Sequence, residues 1–158
     1  MTALYIDADA CPVRAEALRV AARHGLEVWM VSNGGIRPVA DPKVHLVIVD
    51  GGPDAADRWI AERIGAGDIC ITADTVLAAR CLERGAAALR PNGEPFTSAN
   101  IGSALAMRDL MADLRAASPL GGGGGGRPFS RADRARFLDT LEHLVQQARR
   151  GRRLSGPS

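Results

Sequence analysis

Lysine is almost missing from this 158-residue chain: Lys43 is the only one, so arginine carries nearly all the positive charge. Genome base composition accounts for such a bias, and it says little about chemistry. Cysteine is scarce too. Cys11, Cys70 and Cys81 are odd in number and share no metal-type spacing. That excludes a disulfide framework and a zinc site, and it fits a reducing cytoplasm. No apolar run approaches the roughly 18 to 20 residues that span a bilayer. The first residues already read as a strand with acids, so no signal peptide and no membrane partner are expected. The net charge of +2 is too small to argue for nucleic acid by itself. Its distribution says more. Eight of the 20 basic residues, but only Asp133, Asp139 and Glu142 of the 18 acidic ones, lie from Arg127 onward. The front is acidic and the tail basic.

What is present is a soluble globular composition, 46% apolar and 24% charged, in a length that suits one domain with a core. Strand patterns at Ala3 to Asp7, Leu26 to Val31, His45 to Val49, Asp68 to Thr72 and Ala86 to Leu89 alternate with helical ones. The helices start near Pro12, Pro53 and Thr75 and end at Gly25, Gly65 and Gly85. This alternation predicts an α/β fold with a mostly parallel sheet, ordered 3-2-1-4-5. The second-to-third connection is loop-like and short for a parallel crossover. A longer helix is expected over Ala99 to Ala116, with Ile101, Leu105, Leu110, Met111 and Leu114 inward. The domain is placed at 1–117. A glycine-rich flexible linker follows at 118–129, containing six consecutive glycines, Gly121 to Gly126. Ser130 and Asp133 then open a last helix over 130–149, docked by Leu138, Leu141, Val145 and Ala148. A disordered basic tail is expected at 150–158.

Acidic residues gather at the predicted element ends. Asp7 closes the first strand and Asp9 follows two residues on. Asp54 and Asp57 lie in the first turns of a helix, and Asp74 follows the fourth strand. The carboxyl edge of an open α/β sheet is where such folds keep their sites. Neighbouring strands one and four would set Asp7 and Asp74 about 4.8 Å apart. Carboxylates so close repel each other without a cation or protons, and hard cations such as Mg²⁺ or Mn²⁺ take oxygen ligands. Each aspartate also has a plainer reading. Asp54 suits the helix macrodipole, Asp57 sits beside Arg58 as a surface pair, Asp74 caps a helix and Asp9 caps the one after Pro12.

Several motifs resemble those of the bacterial YaiI/YqxD family. They are Asp7-Ala8-Asp9-Ala10-Cys11-Pro12-Val13, Val31-Ser32-Asn33, Gly52-Pro53-Asp54-Ala55-Ala56-Asp57 with Trp59-Ile60, and Ile71-Thr72-Ala73-Asp74. Arg90-Pro91-Asn92-Gly93-Glu94 and Asn100-Ile101 also match, and Arg108-Asp109-Leu110-Met111 matches loosely. The resemblance implies a three-layer, PIN-like fold, grouped with metal-dependent ribonucleases. It implies Asp7, Asp57 and Asp74 as catalytic, metal-binding positions for one or two Mg²⁺ or Mn²⁺ ions, with Asp9 and Asp54 as further metal-site residues. Glu16 is the candidate for the helix glutamate of PIN nucleases. Ser32, Asn33, Thr72 and Arg90 are the candidate substrate contacts, with RNA as the expected partner, and self-association is compatible with all of this. Two other readings stay open. One is a PIN-like module that binds RNA or protein without cutting. The other is an aspartyl-phosphate phosphatase using Asp7 and Asp9, with Ser32 as its second motif. Cys11 has two readings as well, a helix-end thiol of lowered pKa or a small buried residue. Trp59 reads as core or as a base-stacking ring.

Overall fold

The computed structural model describes residues 2–34, 36–52, 54–117 and 129–154. Strand β1, Ala3–Asp7, alternates strictly: Leu4 and Ile6 enter one apolar cluster and Tyr5 the opposite one. Strands β2 (Glu27–Ser32), β4 (Ile69–Ile71) and β5 (Ala87–Leu89) divide their side chains in the same way. The sheet is therefore apolar on both faces and needs a helical layer on each. Helices α1 (Arg14–His24) and α5 (Arg131–Leu154) cover one face, through Val13, Ala17 and Val20 and through Phe137, Leu141 and Val145. Helices α2 (Ala55–Arg63) and α3 (Thr75–Glu83) cover the other, through Ala56, Ile60 and Ile64 and through Leu77, Ala78 and Cys81.

The sheet order is β3-β2-β1-β4-β5-β6, with β3 at Val44–Ile48 and β6 at Pro95–Phe96. The first five strands are parallel in the expected order, and β6 is an antiparallel addition on β5. Two residues including a proline give no readable alternation, so β6 escapes a sequence pattern. The β2-to-β3 crossover is indeed made without a helix among the described residues. Its Ile36 packs on the α1-side core, which gives the loop an anchor.

Helix ends follow their chemistry. Gly25, with φ of 65°, ends α1 in a left-handed turn, and the amides of Gly25 and Leu26 reach back to Ala22 and Ala21. At α5, Ser130 and Asp133 satisfy each other's amides at 3.0 and 3.1 Å, a reciprocal cap. Glu142 of α5 ties it to Arg23 and His24 of α1 at 2.9 and 2.6 Å.

Three expectations need correction. Helix α4, Ile101–Ala117, leaves Leu110, Met111 and Leu114 outward, at 51%, 45% and 53% exposure, and Met107 with them. Among the described residues of α4, Ile101 is the one that packs against a core cluster, and the helix contacts α3. A helical period reveals an apolar stripe but not whether anything covers it. The α5 stripe includes Phe137, fully buried, while Leu138 is only partly so; helix phase is set by Phe137, Leu141 and Val145. The helix also runs to Leu154, past the boundary expected at 149. The expected linker and glycine run at 118–128, and the tail at 155–158, lie outside the described residues.

Candidate functional site

The sheet's carboxyl edge assembles the site through one threonine. Ile6 of β1 pairs with Ile71 of β4, so the next residues, Asp7 and Thr72, come side by side. Thr72 is buried, and its hydroxyl donates to Asp7 Oδ2 at 3.0 Å while accepting the Asp74 amide at 2.9 Å. A hydroxyl has one donor and spare acceptor capacity, so it can serve both at once. Thr72 therefore orients the acids, and its buried hydroxyl is spent within the protein. Asp74 is the N-cap of α3: Oδ1 accepts from the Val76 and Leu77 amides at 2.8 and 3.2 Å. The plain capping role and membership of the site are thus both true of it.

Asp57, on the first turn of α2, meets Asp74. Its carboxyl is pushed up to about 7, first by burial, then by the hydrogen bond and charge of Asp74, then by Asp7 and Asp54. Asp7 is also raised, chiefly by burial; the Thr72 hydrogen bond opposes this, and the Asp74 and Asp9 charges add to it. Asp54 stands at the N-cap position of α2 without making a side-chain cap bond, and it lines the same pocket as Asp57 and Asp74. Burial and neighbouring negative charge both favour the protonated form of Asp57. Among the described residues no three His, Cys, Asp or Glu side chains are already gathered around one cation position.

Asp9 does not join this group. The backbone does not stay extended after Asp7, because residues Ala8–Ala10 form a single 3-10 turn. The turn swings Asp9 to the end of β2. There Oδ1 accepts from Ser32 Oγ at 2.7 Å, and Oδ2 from the Asn33 amide and Nδ2 at 2.9 and 3.1 Å. Ser32 and Asn33, candidate substrate contacts by sequence, thus already hold an internal anion. Arg90 is elsewhere, stacked 4.1 Å over Phe96 and paired with Glu94 at 3.3 Å. Glu16 is buried under α5, held by Arg134 at 3.0 Å, and does not line the acidic pocket.

The remaining alternatives resolve locally. Cys11 is buried and its thiol is pushed up to about 11, mainly by burial, so it is not an activated nucleophile. Cys70 and Cys81 are core residues. Trp59 packs between Tyr5 and Trp29, with Arg63 4.2 Å over its ring.

Sequence reading missed three arginines. Arg58, Arg80 and Arg108 line the pocket with Asp54, Asp57 and Asp74. Arg58 does not pair with its neighbour Asp57, since adjacent helix residues point apart. Neither Arg58 nor Arg80 has an ion-pair partner among the described residues. Arg108 is only 3.8 Å from Asp109, and both are exposed. A signal existed: Arg80 lies three and four residues after Leu77 and Val76, on the α3 face that Asp74 opens.

Residues 5–147 match the family described as uncharacterized BCR, YaiI/YqxD family. A UPF0178 protein of Ruegeria pomeroyi is 69% identical over 150 residues, 95% of this chain and 97% of that one. A UPF0178 protein of Cereibacter sphaeroides is 61% identical over 156 residues, covering 99% and 96%. One from Rhodospirillum rubrum is 56% identical over 150 residues, covering 94% and 99%. No solved structure matches the chain significantly.

Proposed function

We propose that this chain, which belongs to the YaiI/YqxD family, is a PIN-like, Mg²⁺- or Mn²⁺-dependent nuclease that hydrolyses RNA in the cytoplasm. The observation that carries the reading is geometric: Thr72 bonds both the Asp7 carboxylate and the Asp74 amide at the sheet edge, where Asp74 lines one pocket with Asp54 and Asp57. The donor set fits a hard cation. It is all carboxylate, and Asp7 Oδ1 and the Asp54 carboxylate have no hydrogen-bond partner among the described residues. A cation held by Asp7, Asp57 and Asp74 would polarise water and stabilise the leaving oxygen. The protein's own part is positional. Thr72 fixes Asp7, the α3 amides fix Asp74, and Asp57 gives up the proton that occupies the site. Asp54, exposed and without a side-chain cap bond, would hold metal-bound water. Three free, buried cysteines suit the reducing compartment, and no helix among the described residues is long and apolar enough to cross a membrane.

The test is labelled single-stranded and hairpin RNA with purified protein, in Mn²⁺ and in chelator. Asp57→Asn and Asp74→Asn should abolish cleavage and keep the fold. Cleavage that persists in Asp74→Asn, or none by the wild type on any RNA, sinks the proposal. One observation favours a second reading, a binding module without turnover: no three ligand side chains stand ready around one point. The phosphatase reading is weakened, because both Asp9 oxygens are held by Ser32 and Asn33 and are not free for acid–base work.

A further inference from the structure

The pocket of about 310 Å³ beside the acidic pair is lined by both signs of charge, Asp54, Asp57 and Asp74 with Arg58, Arg80 and Arg108. The three arginines come from three different helices, α2, α3 and α4. A protein that needed these guanidiniums for stability would pair them with the carboxylates of the same pocket. It does not: Arg58 and Arg80 have no ion-pair partner among the described residues, and Arg108 touches only its exposed neighbour. Opposite charges thus line one pocket without forming ion pairs, which leaves the arginines free for a ligand that carries negative charge. A guanidinium fork matches the two free oxygens of a phosphodiester.

Among the described residues the same pocket has no aromatic side chain. Besides the charged groups its lining is Val76 and Leu77. The tryptophans are packed with Tyr5 and His45, away from it. Base-reading single-strand sites use stacking rings; this one offers charge and two aliphatic side chains. The volume sits at the small end of ligand pockets and suits one sugar-phosphate unit.

We propose that Arg58, Arg80 and Arg108 grip the phosphate adjoining the one at the acidic pair, so that the site takes a single-stranded RNA backbone without reading its bases. This rests on the nuclease reading for the role of the acidic residues, but the grip is measurable without turnover. The experiment is fluorescence anisotropy of the full chain with a labelled RNA oligomer in chelator, across a salt series. Competitors are homopolymeric RNAs and an abasic phosphodiester of equal length. The abasic backbone should compete within about threefold of the base-bearing ones, because phosphate contacts carry no sequence information. Arg80→Ala and Arg58→Ala should each weaken binding to all competitors alike and lower the salt slope by about one. Arg80→Lys should keep most of the slope. An unchanged slope in both alanine variants, or an abasic competitor weaker by more than about tenfold, overturns the proposal. The two readings fail separately. Arginine-dependent binding with no cleavage in Mn²⁺ sinks the nuclease and keeps the grip. Cleavage with KM unchanged in Arg80→Ala sinks the grip and keeps the nuclease.

Discussion

Replacing Asp57 by Asn should make the metal-free protein more stable above neutral pH. The folded carboxyl is raised from 3.8 to about 7 by burial and by Asp74, Asp7 and Asp54. The folded state therefore keeps a proton that the unfolded chain loses. The stability tied to that proton is fully present below 3.8 and is lost as pH rises through about 7. At about 1.4 kcal/mol per unit, the whole shift bounds the loss at about 4 kcal/mol. Asp57 is partly open to solvent, and screening reduces this to about 1 to 2 kcal/mol. Asn is nearly the same shape and can donate to Asp74 at every pH, so it should not pay this cost. Denaturant unfolding in chelator should then show Asp57→Asn ahead by about 1 to 2 kcal/mol at about pH 8.5, with the lead shrinking toward about pH 5. A variant equal to or weaker than wild type at the alkaline end would refute the stored repulsion, and with it the electrostatic argument for a site here.

Cation binding must displace the Asp57 proton, so the rise in Tm given by Mn²⁺ should grow as pH increases through about 7 and be mostly lost in Asp57→Asn; a response flat across that range in wild type would count against the site. Leu141 is fully buried between α5 and the sheet, and Leu141→Ala should cost about 2 to 5 kcal/mol in equilibrium unfolding; a negligible cost would show that α5 is not integral to the core. Gly93, at φ +93°, has the α5 backbone at Arg136 and Phe137 only 2.7 Å from where a Cβ would sit. Gly93→Ala should thus lower Tm and weaken protection of α5 amides in hydrogen exchange, an effect absent if α5 docks independently of the β5–β6 turn. Asp9→Ala takes the acceptor from the Asn33 amide and leaves Ser32 Oγ only the Gly34 carbonyl at 3.1 Å; it should cost about 1 to 3 kcal/mol, while the Mn²⁺ response of Tm survives; its loss would return Asp9 to the metal site.

Much of the fold was legible because the strands and helices here carry separate periods. Leu4, Tyr5 and Ile6 alternate, and Ala56, Ile60 and Ile64 repeat every turn. Those two periods, punctuated by Gly25 and Gly85, give the strand order once β1 and β4 are made neighbours. What stayed hidden depends on the third dimension. In the α4 stripe, Leu110, Met111 and Leu114 read as core by period, yet all three are exposed, while Ile101 packs against the core. The two-residue β6 is defined by its partner β5 and not by its own pattern.

The site divides along the same line. Asp7, Asp57 and Asp74 were readable because each ends or begins an element, and element ends at one sheet edge converge by topology alone. Asp9 is two residues from Asp7, and its fate turned on a single 3-10 turn that no pattern announces. Arg58, Arg80 and Arg108 are ordinary exposed helix residues in sequence, and the null expectation for each is a solvated face. Only their common pocket separates them from the chain's other arginines. Burial and the neighbouring carboxylates raise the Asp57 carboxyl, while Arg58 and Arg80 of the same pocket have no ion-pair partner among the described residues. A bound cation would relieve the carboxylates and a bound phosphate the arginines, and a metal-assisted phosphodiester site is an arrangement in which one ligand complex would satisfy both.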